Sequence, residues 1–284
     1  VKLKELLFLL GVRPRPRRYG TVVRTVELPG LGPVRYAQWL HPKERPKPVS
    51  AELLRELQRY LAPGDVALDI GAHTGDTTLP LALAVGVTGC VLALEPNPYV
   101  FPVLAETAAL NPHLTRIVPL PCAAAAQDGE LEFEYSDAGF CNGGLHPGIS
   151  RWRHGHAFRL KVQARDLPAL LEREHAELLP RLRWVKTDTE GADFAILQTL
   201  APLLRRHRPF VRAEVYEHLP AEPRRQMYRF LRELGYTVHR YGGDTCFRGE
   251  LLAESDMTRW RHFDVFCLPA GQATAAPASI APAS

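Results

Sequence analysis

The chain of 284 residues lacks the cysteine pattern of a stapled or zinc-bound scaffold. Its five cysteines, Cys90, Cys122, Cys141, Cys246 and Cys267, are odd in number, and no two stand at Cys-x-x-Cys spacing. That excludes a disulfide framework and a cysteine zinc site, and a reducing cytoplasm is the expected compartment. Cys90 and Cys122 sit in apolar runs, where the thiol acts as a small hydrophobe. No apolar stretch approaches the length needed to cross a bilayer, so no membrane span is expected. The apolar start, Val1 to Leu10, carries Glu5 and runs into an Arg/Pro segment instead of a small-residue cleavage site. It reads as an amphipathic helix packed on the domain and not as an export signal. Nor is there a strong excess of one charge: 35 basic residues face 31 acidic ones, a net charge of +4. No nucleic-acid partner is expected, and Arg13, Arg15, Arg17 and Arg18 read as a solvated lead. Internal repeats are missing, and so is a Gly-x-Gly-x-x-Gly fingerprint.

What the chain does have is apolar residue, 46% of the total, enough for a full core. Three regions are expected. Residues 1–49 form a Pro/Arg-rich, irregular extension that packs on or caps the core, because prolines at that density prevent a continuing helix or central strand. Residues 50–268 form the main domain, and 269–284 an Ala/Pro-rich disordered tail. Within the domain Ser50 predicts an N-cap for a helix to about Leu61, stopped by Pro63-Gly64. Val66–Ile70, Val91–Leu94 and Arg116–Leu120 predict three buried strands. They alternate with helices over Thr77–Val85 and Tyr99–Leu110, Pro102 being tolerated in the first turn. Leu131, Phe133 and Tyr135 alternate with Glu132 and Glu134, and Phe158–Val162 alternates again. These predict an inserted β-hairpin whose glycine-rich tip, Gly139 to Gly148, could act as a lid. Arg183–Lys186 and Phe210–Val215 predict two more strands, separated by a helical stripe from Ile196 to Leu204. A helix carrying Met227, Phe230, Leu231 and Leu234 ends at Gly235, and Tyr236–His239 and Asp264–Leu268 predict closing strands. The β-α-β-α-β order predicts an α/β fold, a Rossmann-like, doubly wound and mostly parallel sheet.

Two segments carry the chemistry. The first is Asp69-Ile70-Gly71-Ala72-His73-Thr74-Gly75, a strand running into a glycine turn and a helix N-terminus, whose free N–H groups suit polar ligand atoms. Glu95 lies at the end of the next strand, where an acid can accept from both ribose hydroxyls. With glycines only at Gly71 and Gly75, the turn favours S-adenosylmethionine (SAM) over a dinucleotide. Asp69 holds either the turn or the cofactor's ammonium group. His73 has no His or Cys neighbour in sequence and reads as a turn residue, not a metal ligand. The second segment is Lys186-Thr187-Asp188-Thr189-Glu190-Gly191-Ala192. If it stays extended, Asp188 and Glu190 share a face at the carboxyl ends of the strands, where open α/β sheets bind ligands. Such acids could deprotonate a hydroxyl, hold substrate or, with Glu214, ligate Mg²⁺. His218 is a further candidate catalytic group.

With these segments the chain resembles the FkbM-type SAM-dependent methyltransferases over about residues 64–240. The carriers are Leu68–Gly75, Ala93-Leu94-Glu95-Pro96-Asn97-Pro98, Val185–Asp193 and Arg208–Glu214. The resemblance implies a class I methyltransferase fold and SAM bound by Asp69, Gly71, Ala72, His73, Gly75, Glu95 and Asn97. It also implies O-methyl transfer to hydroxyls of sugar or natural-product-like acceptors. The family often has Asn at position 73, an aliphatic residue at 189 and Leu-Asp at 167–168, where this chain has His73, Thr189 and Leu167-Pro168. On this reading Asp188 is the base for a direct displacement, and Glu190 orients the acceptor or shares a metal. A nicotinamide dehydrogenase and a silent SAM-binding module are the alternatives. Acceptor, O- versus N-methylation and oligomeric state stay open.

Overall fold

A computed structural model describes residues 15–135, 138–141, 143–144 and 158–271. The expected N-terminal helix, most of the lid and nearly all of the tail lie outside these residues.

The first elements overturn part of the reading of residues 1–49. Strands β1 (Thr21–Leu28) and β2 (Gly32–Trp39) form an antiparallel hairpin around a turn that includes Gly30. β1 is rich in β-branched residues, Thr21, Val22, Val23, Thr25 and Val26, which favour a strand, and Pro33 stands near the open edge of a two-stranded ribbon, where its missing N–H costs nothing. α1 (Ala51–Leu57) follows, with Ser50 Oγ accepting from Leu53 N as expected. Next come β3 (Val66–Ile70), α2 (Thr78–Val85), β4 (Cys90–Leu94), α3 (Phe101–Ala109) and β5 (Ile117–Leu120). Pro119 is tolerated because β5 is the last strand of the sheet. The free edge of β2 docks beside α3. There Asn111 bonds both backbone groups of Arg35, at 2.9 and 2.7 Å, and Thr107 Oγ1 accepts from Ala37 N. An edge that would otherwise expose unpaired backbone is thereby satisfied.

The predicted hairpin is real in its arms, and its setting is larger. β6 (Ala123–Ala125), β7 (Gly129–Tyr135), β8 (Gly143–Gly144) and β9 (Phe158–Asp166) make a separate four-stranded sheet in the order β6-β9-β7-β8. Leu131 faces Val162 and Tyr135 faces Phe158 across the β7–β9 pair. α4 (Leu167–Glu174), absent from the sequence reading, starts where Asp166 accepts from Ala169 N and Pro168 occupies the first turn. β10 (Leu182–Thr187) restarts the main sheet. The single stripe expected from Ile196 to Leu204 is two helices, α5 (Asp193–Thr199) and α6 (Ala201–His207). Pro202 has no N–H to give to the carbonyl four residues back, so the helix breaks at Leu200. β11 (Phe210–Val215), α7 (Ala221–Glu233), β12 (Tyr236–Tyr241), β13 (Arg248–Leu251) and β14 (Phe263–Pro269) complete the chain.

The main sheet has the order β13-β12-β14-β11-β10-β3-β4-β5. The five strands from β11 to β5 are parallel, and β14 inserts antiparallel between β11 and β12. The central strands are buried on both faces, and successive residues pack on opposite sides of the sheet. Val66, Leu68 and Ile70 join the core with α4 to α7, whereas Ala67 joins the opposite core with α1 and α2. α2 is buried at every position, as suits a helix that is apolar all round. From β3 the chain winds outward through β4 to β5, and from β10 it winds the other way. The strand order therefore reverses between β3 and β10, which fixes a crevice at their carboxyl ends.

Candidate active site

The crevice opens into a cleft of about 440 Å³, within the range of roughly 300–1,000 Å³ usual for small-molecule sites. Its floor is the turn after β3. Gly71 has φ +79°, and a Cβ there would collide with the carbonyl oxygen of Asp188. The two strand ends are pinned together, Asp188 N donating to Ile70 O at 3.0 Å. Only glycine allows that approach.

Glu95 is buried at the end of β4. Its Oε2 accepts from His73 N at 2.9 Å and its Oε1 from Asn97 N at 2.8 Å. Burial raises its pKa, against His73 and the two backbone N–H groups that favour the charged form. The carboxylate is thus rigidly held, with lone pairs left for a ligand. Asn97 spans two loops: its Oδ1 accepts from Tyr99 N and its Nδ2 donates to Phe140 O at 2.8 Å.

Beneath the turn lies a buried ion pair. Asp69 is fully buried, and its Oδ2 accepts from the hydroxyls of Thr77 and Thr78 at 2.8 and 2.7 Å. Lys186 Nζ stands 3.2 Å from Asp69 Oδ1, donates to Gly71 O at 2.8 Å and lies 3.7 Å from Asp188 Oδ2. Burial lowers the Lys186 pKa, but the carboxylates of Asp69, Asp188 and Asp76 outweigh it and hold the pKa above the ordinary lysine value.

Gly71, His73, Glu95, Asn97, Asp188 and Glu190 all line the cleft. Asp69, Ala72 and Gly75 do not. Ala72 is buried with its N–H on Leu94 O, and Gly75 packs on Leu104 and Thr107. These three shape the turn from below.

The acids past β10 divide. Asp188 remains half exposed beside Lys186. Glu190 adopts φ +55° ahead of Gly191, and its N–H donates to Glu214 Oε2 at 2.9 Å. Burial, with the charges of Asp188, Asp193 and Glu217, pushes the Glu190 pKa up to about 7. Burial and the neighbouring carboxylates push Glu214 and Asp193 well above the usual carboxylate range.

Two expectations need correction. Asp188, Glu190 and Glu214 do not converge as metal ligands. Among the described residues, the one group of three with ligand atoms within 4.8 Å of each other is Glu44, His73 and Cys141. Glu214 spends an oxygen on the Glu190 backbone and lies behind the cleft wall, so the Mg²⁺ site drawn on these acids is not assembled. His218 does not line the cleft either. The chain turns at Tyr216, Leu219 N donating to Tyr216 O, and carries the imidazole to Glu217 Oε1 at 3.3 Å.

Several lining residues carried no role in the sequence reading. The arm between β2 and α1 supplies Lys43, Glu44, Arg45 and Lys47, and Lys47 pairs with Asp76 at 2.8 Å. Leu131, Phe133 and Tyr135 turn one face of β7 to the same space, and their alternation was the visible signal. Lys186 could have been found as a cation among the buried residues at the carboxyl end of a central strand. Nothing local marked the arm.

A family model described as the Methyltransferase FkbM domain matches residues 69–238. No curated protein matches the chain. Among solved structures, similarity extends to methyltransferase FkbM from Methylobacillus flagellatus KT at 15% identity and a TM-score of 0.42, covering 72% of this chain and 43% of that one. The chain thus spans less than half the length of that relative. TYW2 from P. horikoshii, in complex with MeSAdo, is 17% identical with a TM-score of 0.42, covering 92% of this chain and 78% of that one. Fibrillarin from Aeropyrum pernix, with natively bound S-adenosyl-L-methionine, is 12% identical with a TM-score of 0.41, covering 89% and 97%.

Proposed function

The chain belongs to the FkbM methyltransferase domain family, and from that premise we propose that its cleft binds SAM and serves O-methyl transfer to a hydroxyl of a small-molecule or glycan acceptor. One observation carries the reading. The Glu95 carboxylate, fixed by N–H groups from the turns after β3 and β4, faces a cleft floored by Gly71. A vicinal diol such as a ribose offers two donors to such a carboxylate. The residues fit the rest of the cofactor as well, because Asp188 places a carboxylate on the cleft lining, where it suits a sulfonium.

SAM, when bound, supplies an electrophilic methyl group on sulfur. The chain's own task is to align an acceptor oxygen and take its proton. Alignment of this kind contributes on the order of 7–11 kcal/mol at best. Glu190 is the base in this reading, and Asp188 is not. Asp188 Oδ2 lies 3.7 Å from Lys186 Nζ, a cation that competes for the lone pairs a base would use. Among the described residues no cation pairs with Glu190, and a pKa near the operating pH suits a general base. Glu214 acts as a positioning residue through the Glu190 backbone. The cytoplasmic setting belongs to the same proposal, supported by five cysteines of which none is in a disulfide. Among the described residues no helix is long and apolar enough to cross a membrane.

The test is a pair of titrations of the purified chain, with SAM and with NAD, followed by product assays over a panel of sugar and phenolic hydroxyls. Micromolar SAM binding with methylated product supports the reading. NAD binding in place of SAM, or SAM binding without transfer to any hydroxyl, overturns it.

A further inference from the structure

His73 has no ligating neighbour in sequence, yet the fold brings it two. Glu44 comes from the arm before α1 and Cys141 from the loop after β7. One ligand atom from each of the three residues lies within 4.8 Å of the other two. We propose that Glu44, His73 and Cys141 form a Zn²⁺ site at the rim of the cleft, fastening the arm and the second-sheet loop to the cofactor turn.

The donor set selects the ion. One imidazole, one thiolate and one carboxylate suit a borderline cation such as Zn²⁺, whereas Mg²⁺ takes oxygen ligands. Tetrahedral angles at the usual Zn–N, Zn–S and Zn–O lengths set ligand atoms about 3.3–3.8 Å apart. The three side chains therefore need to draw in by about 1.5 Å at most, which rotamer adjustment supplies.

Each ligand is anchored by its neighbours. The loop holding Cys141 is tied down by Asn97 Nδ2 on Phe140 O at 2.8 Å. His73 Nε2 lies 3.3 Å from Cys141 O. A histidine whose Nε2–H donates to that carbonyl presents Nδ1 to a cation, a common arrangement in metal-bound histidine. The ring also meets the edge of Trp39, centroids 5.9 Å apart. Glu44 N donates to His41 O at 2.9 Å, and its carboxylate has Lys47 Nζ only at 3.8 Å. All three ligands line the cleft, so a fourth position is open toward it.

The site is tested on the full chain, stripped with a chelator and titrated with Co²⁺ and then Zn²⁺. The readout is metal binding itself and does not depend on methyl transfer. The expected result is about one equivalent bound, with a thiolate-to-cobalt charge-transfer band that Zn²⁺ abolishes. Cys141→Ser should remove the band. His73→Ala and Glu44→Gln should each weaken Co²⁺ binding about tenfold or more. Cys246→Ser, at an exposed thiol elsewhere, should change nothing. If Cys141→Ser proves unfolded by circular dichroism, Glu44→Gln alone decides. No stoichiometric binding, a band that survives Cys141→Ser, or unchanged affinity in Glu44→Gln overturns the proposal.

Discussion

Replacing Lys186 by methionine tests the foundation of the site. The ammonium is 4% exposed, and its principal partner, Asp69, is not exposed at all. Methionine keeps the length of the stem but leaves Asp69 Oδ1 without its cation, while Oδ2 keeps the Thr77 and Thr78 hydroxyls. Breaking a buried pair by removing one partner typically costs about 3–5 kcal/mol. At roughly 2–4 °C per kcal/mol for a domain of this size, the midpoint should fall by roughly 6–20 °C. Urea unfolding at pH 7.5 gives the free energy, and a thermal scan gives the shift. Asp69→Asn, alone and combined with Lys186→Met, completes a double-mutant cycle, and the double loss should be well below the sum of the single ones. The pH dependence has a definite sign. The folded pKa of Lys186 is raised, so its contribution is fully present below the unfolded lysine value of about 10.4 and is lost only as pH rises through the higher folded value. A loss under about 1 kcal/mol, or additivity of the two single variants, would refute the claim that this pair holds the turn.

Gly71→Ala places a methyl group on the Asp188 carbonyl and a side chain at positive φ. It should destabilise by at least about 1–3 kcal/mol and abolish SAM binding, and a calorimetric isotherm like that of the wild type would contradict the close approach of β3 and β10. Glu190→Gln should slow single-turnover methyl transfer by about 10²–10⁴-fold with SAM affinity little changed. The wild-type rate should rise with pH through about 7 as Glu190 ionises, and a profile flat from pH 5 to 9 would move the base elsewhere. For Glu214 the folded pKa lies above the unfolded one. The folded state therefore binds the extra proton, and stability should decline as pH rises from the ordinary carboxylate range toward 8. Glu214→Gln keeps an acceptor for Glu190 N and should flatten that decline in urea titrations. An unchanged slope would argue against the buried cluster as its source.

The parallel half of the fold was legible because buried parallel strands are uniformly apolar runs and glycine turns punctuate them. Val66–Ile70 and Phe210–Val215 match the structure to the residue. The cleft was half legible. Its floor and the acids past β10 are local motifs whose position follows from strand order. Its other walls come from long-range packing that has no local pattern. Lys43, Glu44, Arg45 and Lys47 lie in a proline-rich arm that owes its place to the β1–β2 hairpin docking on α3. Prolines 42, 46 and 48 concealed that hairpin by suggesting an irregular lead. The sequence placed Asp188 and Glu190 on one face. It could not show that Lys186 would take Asp188 and leave Glu190 with acids for neighbours, because that depends on which side chains burial brings together.

The most direct measurement is calorimetric titration of SAM into the wild type and Glu95→Gln. Glutamine keeps one acceptor for the turn N–H groups and removes the charged acceptor offered to a ribose. Hydrogen bonds to a charged group are worth about 1.5–3 kcal/mol, so the dissociation constant should rise about 10- to 150-fold while the fold stays intact by circular dichroism. Equal affinity in a folded Glu95→Gln variant, or no binding of SAM by the wild type, would contradict the assignment of this cleft to the cofactor.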